Sequence, residues 1–394
     1  MRSLSVAYII NVSLLLLFSM AAINKYFLII CALLLIIRTI QRGSIPKIRK
    51  KELYVFLIFA FIIINTSLIR PYLYYLASFI FLFFVSILIY INKNILEEKP
   101  LNGYALVHIS IFIIQVIYYE QSGNYLNIYE LINVSDEGYV AYHARELEYV
   151  VLGIRAGGVY SEPSFLFIAL LPVMVYKLII RKFDLYFYAT ILTSLLTLSV
   201  AAAVIIGSMA LITQFERQVY LKKLVIPLLL LLFFYAFQEF FYYRVMVGET
   251  YDAIGSRLMV FKEFTRWGIV DHFFGRGFFL DEFGANGVTN LSAAGVRDTG
   301  FLVYLYYASG IVGSLLFIYL LLNIARNVRD CIILLLALFS KVWLLAPSLF
   351  LMLIIVKRFS CPKRKRDHIS GSSTQSCVVV GSKESLIQTA PSQV

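Results

Sequence analysis

The chain has 394 residues, 60% hydrophobic and only 15% charged, with a mean hydropathy of +0.82 and a formal net charge of +12. That is too little polar surface to coat a water-soluble body, which excludes a soluble domain, a disordered chain and a disulfide scaffold together. The four cysteines, Cys31, Cys331, Cys361 and Cys377, show no metal-ligand spacing.

A bilayer-crossing helix needs about 20 apolar residues. Runs near that length predict helices over roughly 4–23, 26–41, 53–69, 72–91 and 104–119, and again over 162–180, 185–199, 200–214, 224–238 and 300–323. A last apolar stretch, 329–357, divides near Ser340–Lys341. The fold expected is an all-α polytopic integral membrane protein of about 12 transmembrane helices with two large external loops. The first span reads as a signal anchor, because its apolar run is long and a second span follows almost at once.

Charge decides the divisions. Lysine and arginine collect in cytoplasmic loops. Here they gather at Arg42–Lys51, Arg181–Lys182 and Arg217–Lys223, and in a tail opening at Lys357 and Arg358. All four fall on one side only if 185–214 and 329–357 each cross twice, which puts both termini in the cytoplasm. The organisation is then helices 1–5 over 1–119, an external loop over 120–161 and helices 6–9 over 162–238. A second external loop covers 239–298, helices 10–12 cover 299–357, and a basic, flexible cytoplasmic tail runs over 358–394. The first loop holds six acidic and two basic side chains and the second eight and six. The positive balance is therefore a topology signal, and no nucleic-acid partner is indicated.

Long connections are commonly functional. The first loop ends Arg155-Ala-Gly-Gly158-Val-Tyr-Ser161-Glu162-Pro163-Ser164 before an apolar helix. Ser161 suits an N-cap and Pro163 an early helical position, so a plain helix start accounts for part of the string. Arg155 and the Gly157-Gly158 pair go further: a glycine turn at a helix N-terminus is an anion-binding nest, and arginine strengthens it. A carboxylate at a membrane boundary such as Glu162 suits proton transfer. The second loop carries Arg244, Arg257, Arg276 and Arg297, with Arg266, and places Asp271 and His272 beside Gly275-Arg276-Gly277. Guanidinium is a planar two-bond partner for phosphate, so outward-facing arginines point to pyrophosphate or an acidic saccharide. Ion pairing with the loop's own carboxylates explains any one of them equally well. Its Trp267, Phe273, Phe274, Phe278 and Phe279 ask for burial against the membrane surface or the first loop. Asp298 and Gly300 open the next span, in which Gly310 and Gly313 allow close helix contact. No phosphate-binding loop and no His-Glu-x-x-His signature occurs, and few charges lie within the spans.

Taken in order, Arg155-x-x-Gly158-x-x-Ser161-Glu162-Pro163-Ser164, Leu196-Thr-Leu-Ser199, Phe274-Gly275-x-Gly277, Asp298-x-Gly300 with Gly310-Ile-Val-Gly313, and Val342-Trp-Leu344 form a series over residues 100–355. This series resembles the O-antigen polymerase/ligase superfamily of Wzy type. Arg257 with Gly268, and Arg244 with Gly255, are similar to an arginine–glycine spacing of such polymerases. In the first loop Ala156 and Leu166 stand where that spacing asks for glycine.

The resemblance implies a metal-independent glycosyltransferase in the bacterial plasma (inner) membrane, without cofactor. It would join undecaprenyl-pyrophosphate-linked oligosaccharide repeat units into O-antigen, capsular polysaccharide or exopolysaccharide at the outer face. Its partners would be that substrate, membrane lipid, a flippase and a chain-length regulator. Glu162 is the first choice of base and His272 the second, with Arg155, Arg244, Arg257, Arg276 and Arg297 on pyrophosphate or sugar. Gly158, Ser161, Pro163, Gly275, Gly277, Asp298 and Gly300 would shape the loops. The alternatives are a ligase that transfers finished glycan and a lipid-linked oligosaccharide flippase. The first differs in acceptor, and the second needs polar groups lining a cavity within the spans.

Overall fold

The computed structural model describes residues 2–41, 57, 73–132, 154–214, 220–242, 255–277, 296 and 299–360. Among these the regular structure is helix throughout, apart from a single bridge residue at Ile154. The helices are α1 (Arg2–Met20), α2 (Lys25–Gln41), α3 (Leu73–Ile91), α4 (Glu98–Ser122) and the short α5 (Ile128–Ile132). Then come α6 (Pro163–Ile180), α7 (Leu185–Leu196), α8 (Val200–Gln214), α9 (Tyr220–Ala236) and α10 (Gln238–Tyr242). The chain continues with α11 (Gly255–Phe264), α12 (Ile269–Phe274), α13 (Phe301–Ile324), α14 (Val328–Leu338) and α15 (Pro347–Phe359).

Eleven of the twelve expected apolar helices are present, and the one expected over 53–69 lies almost wholly outside the described residues. Three helices, α4, α6 and α13, are long and apolar enough to cross a membrane by themselves. Shorter apolar helices run over Val6–Met20, Leu76–Ile91, Leu185–Leu196, Val200–Ile212 and Val225–Ala236. The tail expected over 358–394 is outside the described residues from 361 onward.

Helix α6 occupies the centre. Its residues are apolar on every side, as an enclosed helix requires, and all but Phe165 and Ile180 are buried. It packs on α4, α7, α8, α14 and α15, and in α15 every residue from Pro347 to Val356 is buried as well. Pro172 lies inside α6 and has no N–H for the Ile168 carbonyl. Beside that gap the Tyr104 hydroxyl of α4 donates to the Ala169 carbonyl at 2.9 Å.

The two ends of α6 differ chemically. At its C-terminal end Lys177, fully buried, pairs with Glu98 at 3.0 Å and Asp184 at 2.6 Å. Asp184 also caps α7 through Phe187 N–H, and Arg329 donates to the Leu178 carbonyl. The N-terminal end carries the motif segments described below.

Both expected divisions are real helix breaks. Between α7 and α8 the backbone turns at Leu198, with φ of 52°. Between α14 and α15 it leaves helix from Phe339 to Ala346, and the Ser340 carbonyl accepts from Phe301 N–H at the start of α13. A third break lies within α13, at Gly310 (φ 61°, ψ −160°). The Tyr307 and Ala308 carbonyls just before it accept from Arg276 and Gly277 N–H, each at 2.8 Å. This crossing is backbone on backbone. A Cβ at Gly275 would lie 2.4 Å from the Ala308 carbonyl carbon, and one at Gly310 2.5 Å from Phe273 backbone atoms. Both glycines also have positive φ, where a side chain is strained even in open space. Gly275→Ala and Gly310→Ala should each lower stability by about 2 kcal/mol or more. Thermal unfolding of the purified protein in detergent checks this, with Gly268→Ala, which meets nothing within 4 Å, as the neutral control.

Candidate functional site

The end of the first loop is fixed from below. Gln115 of α4, fully buried, accepts from Gly158 N–H and donates to the Gly158 carbonyl, both at 2.8 Å. It also donates to the Leu126 carbonyl at 2.9 Å. The expected anion nest is thus altered: the Gly158 N–H already serves Gln115 and is not offered to a ligand. The helix cap moves by one residue. Glu162 occupies the N-cap of α6 and Pro163 follows it, while Ser161 stands one position earlier. The Glu162 carboxylate accepts from the Ser164 hydroxyl at 3.0 Å and stays half exposed.

Two contacts carry this segment to the others. The buried Arg155 guanidinium donates to the Thr197 and Leu198 carbonyls, each at 3.4 Å, where the α7–α8 break has left them without helical partners. The Lys341 ammonium lies 4.0 Å from Glu162, on the turn whose Ser340 carbonyl holds the start of α13 at Phe301, just after Gly300. Parts of four of the five motif segments named from the sequence are thus linked near the N-terminal end of α6, two directly and two through the flanking residues Phe301, Ser340 and Lys341. The fifth, Phe274-Gly275-x-Gly277, joins them through the α13 crossing.

The second loop builds a polar cluster against α13. Trp267 is buried and stacks parallel to Tyr306, with ring centroids 6.0 Å apart, and Phe264 meets both edge-on. The Tyr306 hydroxyl lies 2.6 Å from His272 Nδ1, which leaves Nε2 as the nitrogen on the far side of the ring. Arg276 sits over Trp267 at 5.0 Å, bonded to Glu263 at 2.8 Å and Asp271 at 3.0 Å. Burial works against the charged guanidinium, and the two carboxylates bonded to it offset that cost. Arg276 expected on pyrophosphate is thus placed as an internal brace whose charge is already matched.

The structure brings Arg155, Gly158, Glu162 and Pro163 to one end of α6, and His272, Gly275, Arg276 and Gly277 to one face of α13. Among the described residues no bond or ring contact joins Glu162 to His272. Arg244, Arg297 and Asp298 lie outside the described residues, and Arg257 is placed only as a backbone position in α11. Gln115, Lys341, Tyr306 and Glu263 are participants that the sequence did not single out. Lys341 had a signal, since it is a lysine in a turn expected on the side that basic residues avoid.

Removing Arg276 would leave Glu263, only 1% exposed, as an unpaired buried carboxylate. Arg276→Met should cost about 3–5 kcal/mol, and adding Glu263→Gln should recover much of the loss. Unfolding curves for the single and double variants check the brace; an unrecovered double variant would count against it.

Comparison of the chain with protein-family models, with curated proteins and with solved structures finds no match.

Proposed function

We propose that the protein is a multi-pass glycosyltransferase of a bacterial plasma membrane. It would join undecaprenyl-pyrophosphate-linked oligosaccharide repeats into O-antigen, capsular polysaccharide or exopolysaccharide at the outer face. The reading takes twelve crossings with both termini in the cytoplasm, so the N-terminal end of α6 faces outward. One observation carries it. The segments that resemble the polymerase series, distant in sequence, are linked in space through Arg155 to Thr197–Leu198, Glu162 to Lys341, Phe301 to Ser340, and Gly275–Gly277 to α13.

The chemistry suits that end. In the reaction the acceptor hydroxyl attacks the anomeric carbon of the growing chain, the bond to pyrophosphate breaks, and the lipid pyrophosphate leaves with the electron pair. Glu162, half exposed at a helix N-terminus beside Lys341, is the first choice to take the hydroxyl proton. His272, held at Nδ1 by Tyr306 with Nε2 opposite, is the second. Lys341 supplies positive charge beside Glu162, and Arg155, with Arg257, Arg244 and Arg297 of the second loop, is assigned to pyrophosphate or sugar. Positive groups placed where charge develops stabilise the transition state. Arg276, matched by two carboxylates, holds the second loop in shape instead.

The test is conversion of purified lipid-linked repeats into a ladder of longer glycans by the isolated protein, read on a gel. A ligase would instead move finished glycan to another acceptor, and a flippase would leave chain length unchanged. Arg257→Ala should lower polymer formation by roughly 100-fold or more at unchanged membrane levels, whereas Arg155→Ala, which also frees the Thr197 and Leu198 carbonyls, should lower polymer and protein level together. Lysine at both positions should restore little of it, because an ammonium lacks the planar fork. Full activity of Glu162→Gln would remove that residue from the base role.

A further inference from the structure

The second loop's helix α12 meets α13 far from its end. At 1.5 Å per residue, Gly310 lies about 14 Å along α13 from Phe301. Counted instead from Ile324 across an apolar core of about 30 Å, it lies roughly 9 Å inside the opposite boundary. Either placement of α13 in a bilayer carries the α12 backbone, in contact with Gly310, below the membrane surface. There unsatisfied backbone is excluded unless protein supplies partners. The segment meets much of that demand: His272 N–H bonds to the Gly268 carbonyl, Gly275 N–H to the Asp271 carbonyl, and Arg276 and Gly277 N–H to α13, while the buried Trp267 Nε1 is without a hydrogen-bond partner. Arg276 is met by Glu263 and Asp271, while Arg266, just before Trp267, is exposed. The outward side chains of α12 are apolar and open, Ile269 at 78%, Val270 at 71%, Phe273 at 47% and Phe274 at 54% exposed. They lie on the helix that crosses α13, which itself exposes Ile311, Val312 and Leu315 just past the kink.

We propose that residues 267–277 form a re-entrant element sunk into one leaflet, with Ile269, Val270, Phe273 and Phe274 against lipid acyl chains and Arg266 at its mouth. The element carries His272 and Arg276 into the membrane, at the level where the head of a lipid-linked substrate and its first isoprenoid units would lie. The proposal rests on α13 crossing the bilayer and stands whether or not the protein is a polymerase.

Single cysteines at Val270, Phe273, Leu315 and Asn124, placed in the full chain in lipid nanodiscs open to water on both faces, test it. The reagent is a membrane-impermeant maleimide, with labelling of the parent chain subtracted. Asn124, exposed in the polar turn after α4, is the water-facing reference. A thiol in hydrocarbon does not form the reactive thiolate, so Val270→Cys, Phe273→Cys and Leu315→Cys should label at least ~10-fold more slowly than Asn124→Cys. All four should label equally after denaturation. A nitroxide at Val270 should be relaxed more by oxygen than by a water-soluble nickel chelate. Labelling of Val270→Cys at the Asn124→Cys rate overturns the proposal, because the element then lies in water. A Leu315→Cys that labels fast removes α13 from the bilayer and overturns it too. A nitroxide reached by neither relaxing agent is covered by protein, and that also overturns it.

Discussion

Helix breaks in an apolar interior set the terms for this fold. A carbonyl that loses its helical N–H where water does not reach must find another donor or cost several kcal/mol. Each break described here is met from elsewhere in the chain: Arg155 at Thr197–Leu198, Phe301 N–H at Ser340, and Arg276 and Gly277 N–H at Tyr307–Ala308. The donors lie between 31 and 43 residues away in sequence. The breaks therefore act as fasteners, binding loops to helices more specifically than apolar contact does between helices in lipid.

That same requirement gathers chemistry in one place. Discontinuous helices expose polar backbone only at their ends and kinks, so the groups sent to satisfy it are polar as well. Around the N-terminal end of α6 this leaves a carboxylate at an N-cap, a lysine within 4.0 Å of it, and a buried guanidinium on two carbonyls. Against α13 it leaves an imidazole held by a tyrosine hydroxyl and an arginine between two carboxylates. The proposed transferase chemistry uses the first group directly, with the second loop supplying further cationic contacts.

Much of the helical plan is legible in the sequence because long apolar runs have few alternatives in a membrane. The divisions within 185–214 and 329–357 follow from charge sidedness alone, and the breaks at Leu198 and at Phe339–Ala346 stand at those places. What hides from sequence is long-range pairing. Gln115 is one glutamine in an apolar helix, and nothing in its neighbours announces that it holds Gly158. Arg276 reads as a phosphate ligand until Glu263, thirteen residues earlier, is seen against it. Helix lengths are similarly hidden, for an apolar run marks where a helix is possible and a turn such as Thr197–Ser199 decides where it stops.

Lys177 has a consequence for how the protein is made. Its side chain is fully buried, and its ammonium is enclosed between Glu98 and Asp184, which are themselves partly exposed. During synthesis α6 emerges with that cation, in its last turn, before Asp184 exists. Glu98 has been translated already, on α4. Of the two carboxylates that enclose this ammonium, the one on the earlier helix is ready first, so α4 and α6 are joined by charge before α7 begins.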